Sequence, residues 1–322
     1  MKKEDLRIVY MGTPDFAVES LRRLVEGGYN VVGVITMPDK PIGRHQTELQ
    51  ASPVKRYAVE QGLRVLQPEK LKDPTFLEEL RSLQADLQIV VAFRMLPEAV
   101  WAMPRLGTFN LHAALLPQYR GAAPINWAII NGDKETGITT FFLDHEIDTG
   151  SVIQRVPVPI LDTDNAEDVQ DKLMLLGADL VVETVDNILA DRVKPIPQSE
   201  LETDEPLRPA PKIFKETCRI DWTTGVKCTY DFVRGLSPYP AAWTELLNGG
   251  KRTVLKIYAT EKEFCQVSEP VGRLLESNDG GLKVALADGY LHLKSIQLAG
   301  KKRMDVADFM RGFRLDEGAI VE

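Results

Sequence analysis

The chain is poor in cysteine. Three thiols, Cys218, Cys228 and Cys265, are scattered over 322 residues with no CxxC pair. An odd, dispersed set argues against a disulfide framework and a cysteine-based zinc site. Each reads as a small core hydrophobe, as suits a reducing cytoplasm. Long apolar runs are missing too. No stretch approaches the roughly 18 apolar residues of a membrane-spanning helix, so no membrane association is expected. The N-terminal MKKEDLRIVYMG turns acidic after two lysines, and its apolar run is short. It reads as a first buried strand, with no signal peptide expected. Internal repeats and low-complexity tracts are lacking. Two phosphate-binding signatures also fail. Only Gly12 precedes the first helix, which leaves G-x-G-x-x-G incomplete, and no Walker A motif occurs. The triplet Asp148-Thr149-Gly150 has no second copy, which excludes an aspartic protease built on two carboxylates.

What is present is ordinary for a globular protein: 44% hydrophobic and 27% charged residues. The length suggests two domains, each able to bury its own core. The net charge of −8 is unevenly spread. From Leu207 onward, 18 Lys and Arg face 15 Asp and Glu, whereas the rest of the chain has 21 against 32. A mildly basic C-terminal third on an acidic protein is weak support for a polyanion partner.

Strand and helix patterns alternate in the first half. Leu6–Met11, Val31–Ile35 and Ala85–Ala92 are near-continuous apolar runs, as expected of strands buried on both faces. Thr13 and Pro14 suit the start of a helix, with Thr13 as its cap. Phe16, Ala17, Leu21, Leu24 and Val25 then share one face. Another helix is expected near Phe76 to Leu83. The spacing predicts an α/β domain over residues 1–190, Rossmann-like, with a mostly parallel sheet and helices on both faces. Ligands of such sheets gather at the carboxyl ends of the strands. The polar stretch 37–53 has neither period and reads as a binding loop or a surface insertion. A long helix is expected over Ala166–Leu189. Residues 191–211 carry five prolines and read as an extended linker. Short strand patterns follow over Ala242–Leu247, Thr253–Ala259, Val271–Leu275, Leu282–Leu286 and Tyr290–Ile296. Divided by Asn248-Gly249-Gly250 and Asp279-Gly280-Gly281, they predict a small antiparallel, OB-like barrel over 212–322.

The chemistry concentrates between Gly107 and Gly150. Asn110 and His112 alternate along a strand-like run, so both point to one side. Asp148 follows the strand Thr136–Leu143. The run Asn110 to Ile125, NLHAALLPQYRGAAPI, with Asp148-Thr149-Gly150 downstream, resembles the signature of the folate-dependent formyltransferases. Further matches lie in Met11–Ala17, Pro38–Pro41, Ser52–Lys55 and Ser237–Trp243. They are similar to those of family members that act on methionyl-initiator-tRNA, and the resemblance covers essentially the whole chain.

The resemblance implies Asn110, His112 and Asp148 as catalytic residues and 10-formyltetrahydrofolate as formyl donor and co-substrate. Phe93, Arg94, Met95 and Leu96 lie where the pterin ring is expected, and Ala114, Leu115, Leu116 and Pro117 complete the folate site. Ala114 stands where the family usually has Ser, and Gln118 where it has a basic residue. Transfer from an N-formyl group to an amine passes through a tetrahedral oxyanion, which Asn110 and a protonated His112 suit as hydrogen-bond donors. Asp148 would hold His112 and make it more basic than a free imidazole. No metal is implied. Arg44, Lys251, Arg252, Lys301, Lys302 and Arg303 are candidate tRNA contacts, and the residues from 212 onward would be the tRNA-binding domain. A cytoplasmic monomer is expected. The alternatives are a folate enzyme formylating a small amine and a non-catalytic tRNA-binding module. The linker and the intact Asn110, His112 and Asp148 argue against them.

Overall fold

The structure, a computed structural model, describes residues 2–42, 48–201 and 205–322. The chain divides into two compact units. One comprises Met1–Gly121, Thr136–Val158 and Gln170–Pro209; the other comprises Ala122–Glu135, Pro159–Val169 and Ala210–Glu322.

The first unit is built on a sheet in the order β5-β2-β1-β6-β7-β8-β9. Its strands are β1 (Ile8–Gly12), β2 (Val31–Ile35), β5 (Val65–Leu66), β6 (Leu87–Val91), β7 (Thr108–His112), β8 (Glu135–Phe142) and β9 (Val152–Pro159). β1 runs parallel to β2 on one side and to β6 on the other, so the strand order reverses at β1. β7 is parallel to β6, and β8 is antiparallel to β7. Every residue of β1 and β6 is buried, the mark of strands covered on both faces. The helices are α1 (Val18–Glu26), α2 (Pro53–Glu60), α3 (Pro74–Ser82), α4 (Glu98–Trp101) and the long α6 (Ala166–Leu189).

Local chemistry explains most of these starts. Ser52 accepts the Lys55 amide at the head of α2, and Asp73 accepts from Thr75 and Phe76 at the head of α3, each followed by Pro at the first helical position. Thr13 does not act as a cap. A short 3-10 turn, Asp15–Ala17, begins after Pro14, and α1 starts only at Val18; the Thr13 hydroxyl is buried without a partner. Val9, Met11, Ile35, Val90, Phe76, Leu80 and Val100 form a core on one face of the sheet. The stretch 37–53 is framed by a small antiparallel hairpin, β3 (Lys40–Ile42) against β4 (Glu48–Gln50), where no periodicity was legible. Arg44 lies outside the described residues.

The second unit is an antiparallel sheet in the order β12-β13-β14-β11-β10-β16. Its strands are β10 (Ala242–Asn248), β11 (Lys251–Phe264), β12 (Leu274–Glu276), β13 (Leu282–Leu286), β14 (Gly289–Leu298), β15 (Met304–Asp305), beside β14, and β16 (Ile320–Val321). The ends of this path meet. Leu274 N donates to Ala319 O at 3.0 Å and Val321 N to Gly272 O at 2.8 Å, which closes the sheet into a nearly complete barrel and removes its edges. Leu246, Leu255, Ile257, Leu282, Val284, Leu291, Leu293 and Ile296 fill it with Trp222 and Val233. Helices α5 (Pro124–Ile130), α7 (Val226–Gly235) and α8 (Val306–Met310) belong to this unit. Asp288 Oδ1 accepts the Val226 amide at 2.9 Å and so caps α7, whose preceding Gly225 has φ +85. Asn126 of α5 donates to Gly235 O of α7 at 2.7 Å. No described helix is long and apolar enough to cross a membrane.

Candidate active site

β7 carries Asn110 and His112 two residues apart, which sends both side chains to one side of the strand. Asn110 is half-buried and His112 is 5% exposed. The imidazole stands edge-on to Phe141 of the neighbouring β8, with ring centroids 6.4 Å apart. Its Nε2 lies 2.8 Å from the Tyr119 carbonyl oxygen. A carbonyl only accepts, so Nε2 carries the hydrogen. Nδ1 faces Asp148 Oδ2 at 3.8 Å, an ion-pair distance too long for a direct hydrogen bond. Burial pushes the His112 imidazole below its ordinary value of 6.5, against the opposing pull of Asp148 and the Tyr119 carbonyl. The expected basic His112 is therefore corrected: desolvation outweighs a carboxylate held at this distance.

Asp148 sits in a left-handed turn, φ 56. Its Oδ2 accepts the Gly121 amide at 2.9 Å. The turn is packed tightly against β8. A Cβ on Gly150 would lie 1.7 Å from Phe142 O, so only glycine fits there. Tyr119, also left-handed at φ 59, donates its amide to Arg208 O at 2.8 Å.

The residues expected to hold folate leave the ends of adjacent strands, since Val91 of β6 pairs with Leu111 of β7. Met95 is 67% exposed, Phe93 is half-buried and Leu96 is buried in the sheet core. Arg94 spends its terminal nitrogens on the carbonyls of Pro68 and Glu69, and its Nε is buried without a partner. Desolvation holds the Arg94 guanidinium below its usual range. Ala114, Leu116 and Pro117 are buried, and Leu115 is half-buried. Thr139 pins this loop, donating to Ala114 O at 2.6 Å and accepting from Leu116 N at 3.1 Å. Gln118, where a basic residue is usual, engages residues 205–208 instead: its Oε1 accepts the Arg208 amide at 2.9 Å.

In the other unit, Lys251 and Arg252 begin β11, while Lys301, Lys302 and Arg303 follow β14. Leu255 pairs with Leu298, and Ala299 N donates to Val254 O, so the two basic segments emerge at the same end of the barrel. Arg252 is paired with Glu245 and Glu322. Arg303 donates to Ser295 and stacks 4.3 Å over Tyr258. Lys251, Lys301 and Lys302 are exposed. Among the described residues no group of His, Cys, Asp and Glu is arranged to hold a metal.

Four residues around Asp148 escaped the sequence: Tyr119, Arg120, Gly121 and Gln198. The first three stand inside the quoted signature, but Tyr119 and Gly121 act through backbone atoms, which leave no trace in residue type, and Arg120 acts through Gln198, 78 residues away. Gln198, among the prolines of 191–211, offers no local signal at all.

Comparison with known proteins agrees with this geometry. The family model for formyl transferase matches residues 6–185, and that for the formyl transferase C-terminal domain matches 212–314. A methionyl-tRNA formyltransferase of Phocaeicola vulgatus is 72% identical over 324 residues, covering 100% of both chains. One of Parabacteroides distasonis is 69% identical over 316 residues, 98% of each. The crystal structure of HypX from Aquifex aeolicus in complex with tetrahydrofolic acid superposes with a TM-score of 0.64 at 19% identity. That match covers 97% of this chain but 48% of HypX, and at such identity it speaks for the fold alone. The mostly parallel sheet, the nearly closed barrel and the full-length identity together place the chain in the formyl transferase family, among the methionyl-tRNA formyltransferases.

Proposed function

We propose that this chain transfers the formyl group of 10-formyltetrahydrofolate to the amino group of methionyl-initiator-tRNA by direct attack, in the cytoplasm and as a monomer. The observation that carries the reading is the convergence of Asn110, His112 and Asp148, with His112 Nδ1 turned toward the carboxylate at 3.8 Å. With Nε2–H given to Tyr119 O, neutral His112 presents a bare Nδ1. Burial keeps it neutral and able to accept a proton.

The amine nitrogen bonds to the formyl carbon, and its proton passes to Nδ1. Asn110 donates to the developing oxyanion, a contribution of roughly 3 kcal/mol for one well-placed donor. Asp148 and the Tyr119 carbonyl stabilise the imidazolium so formed. Cleavage of the bond from the formyl carbon to N10 follows, and the proton moves from His112 to the departing tetrahydrofolate. No side-chain nucleophile is needed. Residues 93–96 and 114–117 serve the folate. The basic end of the barrel, with Lys251, Lys301 and Lys302, neutralises tRNA phosphates.

Formylation assays with 10-formyltetrahydrofolate test this. Methionyl-initiator-tRNA should be formylated, whereas free methionine, glycinamide ribonucleotide and amino sugars should not. Preference for a small amine would overturn the acceptor, and no transfer at all would overturn the reaction.

A further inference from the structure

We propose that Gln198, oriented by Arg120, is a positioning residue that holds the Asp148 carboxylate in its working place. This role rests on the catalytic assignment of Asp148 above. Gln198 is 5% exposed and reaches in from a short 3-10 turn, Gln198–Glu200, beyond α6. Its Nε2 donates to two carbonyls of the Asp148 turn, Asp148 O at 2.8 Å and Gly150 O at 2.9 Å. Its Oε1 accepts from Arg120 Nε at 3.0 Å and Nη2 at 2.7 Å. A guanidinium has no acceptor, so this two-fold contact fixes which end of the amide faces the turn. Both donor hydrogens of the amide are consumed by carbonyls that would otherwise be left short of a buried partner.

Three consecutive residues thereby organise the site. Tyr119 O holds His112, Arg120 aims Gln198, and the Gly121 amide holds the Asp148 carboxylate. Asp148 is thus gripped from two sides, its carboxylate by Gly121 and its backbone oxygen by Gln198. That double grip sustains its left-handed backbone, a conformation a non-glycine residue adopts only under constraint. At 3.8 Å from Nδ1, a small rotation of the turn changes the field on His112.

The informative variant is Gln198→Glu. It preserves size and strengthens the contact with Arg120, but an ionised carboxylate cannot donate to Asp148 O or Gly150 O. Turnover is expected to fall about 10- to 100-fold with both KM values within about twofold, for a lost alignment of one acid–base partner. The acid limb of the kcat profile should move to lower pH, because a displaced Asp148 no longer raises His112. Gln198→Asn, one methylene short, should not restore activity. In an Asp148→Asn background, Gln198→Glu should cost little more, the sign of residues acting through one another. Thermal unfolding of each variant separates misfolding from misalignment. Normal kcat and an unmoved limb in Gln198→Glu, while Asp148→Asn is crippled, would overturn the positioning role and leave the catalytic reading standing. An active Asp148→Asn would overturn both.

Discussion

The two units handle conformational strain differently. In the sheet unit, the non-glycine residues with positive φ among those described are Gln84, Ala92, Tyr119, Asp148 and Asp191; Ala92 directly follows β6, and Tyr119 and Asp148 lie in the loops after β7 and β8. In the barrel unit the positive-φ positions are glycines at turns, such as Gly249, Gly250, Gly280 and Gly300, with Ala241 the one other residue among those described. In the first, Tyr119 and Asp148 carry left-handed backbones at the candidate site itself, whereas in the second glycine relieves nearly every such turn. The same contrast holds for charge. His112 and Asp148 are withdrawn from solvent, whereas Lys251, Lys301 and Lys302 stay exposed at the barrel end. In the proposed function, one unit carries chemistry at a point and the other attraction over a surface.

The sharpest way to break that contrast is Asp148→Asn. The amide keeps the size of the side chain but removes the charge beside Nδ1. Turnover should drop about 10²- to 10⁴-fold while the KM for tRNA hardly moves. Unchanged turnover in single-turnover assays would mean the strained turn serves only the fold. Next comes Gly150→Ala. Its Cβ must push away the Phe142 carbonyl, and we expect a loss of about 3 kcal/mol by denaturant unfolding, together with activity. The barrel is tested by replacing Lys301 and Lys302 together with Ala. The KM for tRNA should rise about tenfold, and the slope of log affinity against log salt should shrink by about 2. A salt response equal to the wild type would detach this end of the barrel from the tRNA.

How far the sequence reached follows the same division. β2, β13 and α6 are found over the very residues expected, since continuous apolarity or helical spacing marked them. β11 runs on to Phe264, past the expected end at Ala259. Thr260–Phe264 is charged and half exposed, and its register shifts at Ala259, so pattern alone stops too soon. In the site, Asn110 and His112 were legible because alternation on a strand fixes their direction. The Gly121 and Gln198 contacts were not, because each joins a side chain to a backbone atom distant in the chain, and the Tyr119 contact uses a carbonyl that every residue has. The lowered basicity of His112 is hidden for a related reason: charge is visible in a sequence, but desolvation comes from burial, here beside Phe141.

That correction has a measurable consequence. With its ordinary value of 6.5 lowered by burial, His112 should give kcat/KM an acid limb below 6.5, moving lower still in Asp148→Asn. A limb above 6.5 would restore the more basic imidazole. The unfolded state binds the His112 proton more readily than the folded one. Its neutral form therefore stabilises the fold above 6.5, and this stability is lost as pH falls through the lower folded value. The barrel offers the counterpart. His292 at 2.6 Å holds the Glu263 carboxyl below its ordinary 4.5, so that stability is present above 4.5 and is lost only in more acidic solution. In pH-dependent unfolding, His112→Gln should remove the first decline and leave the second.

The smallest effect is expected at a barrel turn. Gly280 has φ +77 and open space within 4 Å of where a Cβ would stand. Gly280→Ala meets no clash, and only the left-handed backbone opposes it, at about 1 kcal/mol. Formyl transfer should be untouched. Set beside Gly150→Ala, where steric exclusion and catalysis fail together, the pair separates two uses of glycine in one chain. A large activity loss from Gly280→Ala would show that this turn of the barrel also bears on the reaction, and the proposed division of labour between the units would have to be redrawn.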